Sequence, residues 1–180
     1  MSCNGNYHMR IKSFFQAALL LCFSPAGFAI EVVHISVPEA SIVGRGTLTY
    51  AFWDIYDATL YAPQGKWDKN KPFALSIKYN WPLEGKSIAD RSVQEMRKQG
   101  FQDEVKLATW NTQMKAIFPD VRQGTVLTAV RAQGGKTVFY EDNKMIGSIK
   151  GDEFGQYFFD IWLSEKTSAP DLRRNLLGQQ

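Results

Sequence analysis

Thr125-Val126-Leu127-Thr128-Ala129-Val130-Arg131, Thr137-Val138-Phe139-Tyr140 and Met145-Ile146-Gly147-Ser148-Ile149 are three short runs rich in β-branched and aromatic residues. Such side chains suit a pleated, half-buried surface, so each run reads as a strand. Gln133-Gly134-Gly135 separates the first two and Glu141-Asp142-Asn143-Lys144 the last two. Gly, Asn and Asp tolerate the backbone geometry of tight hairpins. Strands joined by hairpins lie antiparallel, so this stretch predicts an antiparallel sheet.

Upstream, Phe73, Leu75, Ile77 and Tyr79 alternate with Ala74, Ser76 and Lys78, the pattern of a half-buried strand, and Trp81-Pro82 ends it. Thr47 to Tyr61 is β-rich and free of proline; it reads as two strands or one bent strand, with Asp54 at the bend. Gly44-Arg45-Gly46 reads as a turn, and the β-branched run Glu31 to Val37 as a further strand.

Helical signals occupy the remaining segments. Ser87 opens a helix to about Gln99, closed by Gly100, and Asp103 caps a second. Leu107, Trp110, Met114 and Ile117 recur at helical spacing before Pro119. Phe154, Tyr157, Phe158, Ile161 and Trp162 form one apolar face, and Pro170-Asp171 opens a short helix carrying Leu172, Leu176 and Leu177. Strands, two helices, strands and two helices make an α+β domain: an antiparallel β-sheet with helices packed on one face.

The N-terminus is of another kind. Arg10 and Lys12 precede the apolar run Phe14 to Phe23, then Ser24-Pro25 and Gly27-Phe28-Ala29. Basic, then apolar, then small residues describe a signal peptide spanning residues 1–29, cut after Ala29. The run is short for a bilayer core of ~30 Å, which disfavours a retained anchor. The remaining domain is 30–180, exported to the periplasm or secreted, with no transmembrane anchor after cleavage. Cleavage takes Arg10 and Lys12 from the 21 basic residues, leaving 19 against 18 acids, a net charge of +1. That balance disfavours nucleic-acid binding. Cys3 and Cys22 leave with the leader, so the domain has no thiol or disulfide chemistry.

His34 is then the single remaining histidine, which excludes a Cys/His zinc site. The acids lack EF-hand spacing, and no G-x-S-x-G turn presents a serine. Gly134-Gly135-Lys136-Thr137 resembles the end of a P-loop, but the required earlier glycine is Val130 and the context is strand–turn–strand. No cofactor, metal or nucleotide is expected. What remains is aromatics with a few charges: Tyr50, Trp53, Tyr56 and Tyr61 fall in one β stretch beside Arg45. Such a surface could hold an apolar body and an acidic head, or be ordinary sheet packing. Arg91, Glu95, Arg97 and Lys98 similarly read first as a solvated helix face.

Gly44-Arg45-Gly46 followed by Phe52-Trp53-Asp54-Ile55-Tyr56-Asp57-Ala58-Thr59-Leu60-Tyr61-Ala62-Pro63 resembles the opening of bacterial chalcone isomerase-like proteins. Phe118-Pro119-Asp120, the Phe139 to Gly147 hairpin, Gly151-Asp152-Glu153-Phe154 through Leu163, and Leu172-Arg173-Arg174-Asn175-Leu176-Leu177-Gly178 continue the pattern in order. The resemblance implies an open sandwich with a ligand cleft between sheet and helices. It also implies one of two functions, ring closure of a chalcone or non-catalytic fatty-acid binding through an Arg and a Tyr.

By that resemblance Arg45 lies near the ligand-binding arginine, and Tyr56 where the fatty-acid binders carry tyrosine and the isomerases threonine. Ile88 falls at the isomerases' catalytic tyrosine and Glu95 at their asparagine. Isoleucine cannot polarise a carbonyl, so no catalytic residue is assigned. The expected ligand-binding set is Arg45, Tyr56, Tyr79, Arg91 and Glu95. The expected function is non-catalytic binding of a fatty acid or similar apolar carboxylate. Two alternatives stand beside it: an isomerase or intramolecular lyase using Tyr56 or Tyr79, and an interaction protein with a vestigial cleft.

Overall fold

Each strand of the meander pairs with the next one in sequence, and the same rule governs the whole sheet. The computed structural model describes Met1 and residues 28–179. Six strands, β1 (Ala40–Tyr50), β2 (Trp53–Pro63), β3 (Phe73–Tyr79), β4 (Val126–Arg131), β5 (Thr137–Glu141) and β6 (Lys144–Ile149), stand side by side in chain order, all antiparallel. The helices are α1 (Phe28–Ser36), α2 (Gly85–Lys98), α3 (Glu104–Ile117), α4 (Asp152–Leu163) and α5 (Pro170–Leu176).

Alternation sorts side chains between the two sheet faces. Ala58, Leu60, Phe73, Leu75, Ile77 and Tyr79 point to one face and join the main core with α2, α3, α4 and α5. There Phe154, Phe158, Ile161 and Trp162 are buried along α4, as their spacing predicts, while half-buried Tyr157 packs on Phe101 with ring centroids 4.4 Å apart. Burying each such side chain contributes roughly 1.5–3 kcal/mol, so this layer dominates the stability of the fold.

The other face carries α1. Val33 and Val37 are fully buried against Ala74, Val130 and Tyr61. Here the structure corrects the expected strand at Glu31 to Val37. The run is β-branched, but one helical turn, closed by Val37 N–H donating to Val33 O at 2.8 Å, lays Val33 and Val37 on the same face, where both pack against the sheet. Packing overrides a weak intrinsic preference.

Gly44-Arg45-Gly46 is also corrected: it lies inside β1. A Cβ on Gly44 would sit 2.1 Å from the Asn175 carbonyl oxygen, and one on Gly46 2.7 Å from Leu172 Cδ1. The two glycines are a backbone seat for α5, needed for close approach. The β1–β2 reversal falls at Ala51-Phe52, with Ala51 at φ 55°, and Asp54 lies inside β2, accepting from Thr49 Oγ1 at 2.7 Å. At α2 the helix begins two residues before Ser87, because Asp120 Oδ1 accepts from Gly85 N–H at 2.9 Å and supplies the cap. Asp103 caps α3 as expected, accepting from Lys106 N–H at 3.0 Å.

The expected leader falls on residues 1–29, of which 2–27 lie outside the described residues. No helix of the described residues is long and apolar enough to cross a membrane.

Candidate functional site

Between the main sheet face and α2 and α4 lies a cavity of about 610 Å³. That is within the range of roughly 300–1,000 Å³ found for small-molecule sites. Its far end, over β4 to β6, is apolar: Leu127, Ala129, Phe139 and Ile146 line it, with Phe158 of α4 above. Its near end, over β2 and beneath α2, is where polar groups gather.

Tyr56 is the pivot of that end. Its hydroxyl oxygen accepts from Trp162 Nε1 at 2.8 Å, tying β2 to α4, and its ring meets Tyr79 edge-on with centroids 5.9 Å apart. Burial pushes the Tyr56 phenol up to about 12, against the opposing pull of the Trp162 hydrogen bond, with Glu95 adding to the rise and Arg91 opposing it. Burial likewise raises Tyr79. Both phenols are therefore neutral near pH 7. The Tyr56 proton is bound to no acceptor among the described residues, which leaves a donor available to a ligand.

Glu95 is the buried charge of the site, at 4% exposure. Arg91 Nη2 and Lys98 Nζ approach its Oε1 at 2.7 and 3.0 Å, and Ser168 Oγ donates to its Oε2 at 2.6 Å. Burial raises the Glu95 carboxyl, but the Ser168 and Lys98 hydrogen bonds and the Arg91 and Lys98 charges outweigh it, and the net shift is downward. Glu95 is thus ionised and occupied on both oxygens. Two cations around one carboxylate leave one positive charge unbalanced, the complement of a single anionic head.

Of the five expected ligand-binding residues, the cavity brings together Tyr56, Tyr79, Arg91 and Glu95. Arg45 is a correction. Its neighbours Gly44 and Gly46 face α5, so alternation turns Arg45 to the opposite side of the sheet, exposed beside Thr59 and Tyr61. Its charge there opposes the burial that raises the Tyr61 phenol. Ile88, aligned by resemblance with the isomerases' catalytic tyrosine, lines the cavity, as does Glu95 at the asparagine position. Sequence reasoning missed Trp162 and Ser168 as polar members. Trp162 belongs to an apolar helical stripe, and nothing in a serine before Ala169-Pro170 points to Glu95. Among the described residues no group of three or more His, Cys, Asp or Glu could hold a metal ion.

A model of the family described as chalcone isomerase-like matches residues 32–178. The chain belongs to the chalcone isomerase-like family. The order of motifs along β1, β2, α4 and α5 therefore marks a true family relation. An uncharacterized protein of Haemophilus influenzae is 27% identical over 172 residues, covering 95% of this chain and 79% of its own length. Among solved structures, the crystal structure of an Arabidopsis thaliana fatty-acid binding protein superposes with a TM-score of 0.60 at 13% identity, covering 78% of this chain and 87% of that one. That likeness establishes the shared fold.

Proposed function

We propose that this chalcone isomerase-like protein is an exported, non-catalytic carrier or sensor of a fatty acid or similar apolar carboxylate. The observation that carries the reading is the cavity itself: about 610 Å³, apolar at one end, with Tyr56, Arg91 and Glu95 at the other, where Lys98 also pairs with Glu95 and leaves a net positive charge. The acyl chain lies over β4 to β6, each buried CH₂ contributing ~0.8 kcal/mol. The carboxylate accepts from the Tyr56 hydroxyl and from guanidinium donors of Arg91 that Glu95 leaves free. The Arabidopsis thaliana structural neighbour, a fatty-acid binding protein, agrees with this chemistry.

Two residues argue against ring closure. Ile88 offers no hydrogen bond where the resemblance sets a tyrosine, and Tyr56, held near 12, is a poor general base at neutral pH. Export rests on the basic, apolar and small-residue order of residues 10–29.

Titration with palmitic acid tests the binding. Saturable one-to-one binding, abolished by Ala129→Trp in a folded protein, is the expected result, because Ala129 lines the apolar end and an indole there occupies the chain's place. Absence of binding by the unaltered protein, or turnover of a hydroxychalcone panel, would overturn the reading.

A further inference from the structure

All large exposed aromatic side chains among the described residues fall in one place. Tyr50, Phe52 and Trp53 are 76%, 96% and 57% exposed at the β1–β2 tip, and Trp81, just after β3, is 38% exposed. The other large apolar groups in solvent, such as Ile35, Val105 and Met145, are aliphatic and stand elsewhere in the chain. Trp53 and Trp81 meet edge to face with centroids 4.8 Å apart, so the patch is preassembled. The turn that lifts Phe52 furthest out holds Ala51 at φ 55°, the left-handed region that is unfavourable for a residue with a Cβ. A strained turn and an almost wholly solvated phenylalanine are two unfavourable features adjacent in one hairpin.

The same hairpin is the rim of the cavity. Leu48, Thr49 and Tyr50 of β1 and Ile55 and Tyr56 of β2 line it directly behind the aromatic tip. We propose that the tip formed by Tyr50, Phe52, Trp53 and Trp81 docks on a lipid bilayer, setting the cavity mouth against the membrane so that an acyl ligand passes between bilayer and cavity without crossing water. Tryptophan and tyrosine favour the boundary between headgroups and acyl chains, and a phenylalanine at the apex inserts below it. The charges around the tip do not favour one sign: Asp54, Asp57 and Glu84 stand against Lys78, Lys86 and Arg91. Insertion of aromatic rings, rather than attraction to anionic headgroups, drives the contact, so docking resists added salt. The apolar cargo proposed above is what makes a bilayer the matching surface, and to that extent the docking face rests on that reading.

The protein as processed by its host is floated with vesicles of phosphatidylethanolamine and phosphatidylglycerol, unaltered and as Phe52→Ser and Trp53→Phe. Vesicles with brominated acyl chains report which indoles are immersed. Phe52→Ser should reduce partitioning by about tenfold or more, from the burial energy of one phenyl ring. Trp53→Phe should still float but lose the Trp53 share of the bromine quenching, with Trp81 keeping the rest. Unchanged melting temperatures, expected because Phe52 touches solvent rather than core, show both variants folded. Flotation of Phe52→Ser equal to the parent, quenching unchanged in Trp53→Phe, or no flotation of the parent would each overturn the docking surface. So would a co-purifying protein, lost in Phe52→Ser, with no vesicle binding. Palmitic acid titration of the same samples keeps the two readings apart: binding without flotation sinks the docking face alone, and flotation without binding sinks the cavity's cargo alone.

Discussion

Replacing Arg91 with alanine removes the exposed cation that faces the polar end of the cavity, and the geometry sets the size of the effect. A hydrogen bond to a charged group contributes about 1.5–3 kcal/mol when well buried, whereas an exposed ion pair contributes about 0.2–1 kcal/mol. The Arg91 side chain is 62% exposed and already engaged by Glu95 at 2.7 Å, so its share in holding a ligand carboxylate lies between those limits. About 1–2 kcal/mol corresponds to roughly a 5- to 30-fold loss of affinity. With each CH₂ at ~0.8 kcal/mol, the loss equals shortening the acyl chain by about two carbons. The assay is isothermal titration with a series of fatty acids and with the alcohols of equal chain length. Arg91→Ala should shift the whole acid series by a constant factor, leave the increment per carbon unchanged, and leave the alcohols within about twofold. Glu95 keeps Lys98 and Ser168 as partners in the variant, which protects the fold. Equal weakening of acids and alcohols, or no weakening of either, would refute the placement of the carboxylate at Arg91.

Three further outcomes follow from the same structure. Gly44→Ala forces a Cβ to within 2.1 Å of the Asn175 carbonyl oxygen, so α5 must shift off β1. Overpacking of this kind costs about 1–3 kcal/mol, a fall in melting temperature of roughly 2–12 °C for a domain this size, and an unchanged melt contradicts the seat. Tyr56→Phe strands Trp162 Nε1 without its acceptor, costing about 1–3 kcal/mol in a denaturant titration and weakening acids more than alcohols. Glu95 titrates below its unfolded value of 4.5, so the stability it contributes is complete above that pH and disappears as pH falls through the lower folded value. Melting curves across the acid range should show this loss in the parent and its absence in Glu95→Gln; parallel pH profiles would contradict the assignment.

How far these features were legible beforehand depended on whether a local pattern carried them. The β4–β6 meander, the face Phe73/Leu75/Ile77/Tyr79 and the α4 stripe were written in period-2 and helical spacing, and the structure reproduces them. The run Glu31 to Val37 was misleading because valines suit either element, and only the uncovered second face of the sheet decides for a helix. Gly44-Arg45-Gly46 looked like a turn since glycine needed for close helix approach and glycine needed for a bend are indistinguishable in one sequence. Arg45 entered the expected set by resemblance, and the register that turns it to the opposite face of the sheet is not visible in the sequence. Tyr56, Tyr79, Arg91 and Glu95 line one cavity, whereas the Trp162 and Ser168 partners depend on contacts 106 and 73 residues distant in sequence.

The central claim is that the cavity holds an apolar acid in the living cell. Native mass spectrometry of the protein isolated from its own host, followed by solvent extraction, tests it most directly, with Ala129→Trp prepared in parallel. The account predicts an added mass on the unaltered protein, recovered on extraction as a free fatty acid and missing from the folded variant. An unaltered protein that carries no added mass, or a variant loaded equally well, would contradict it.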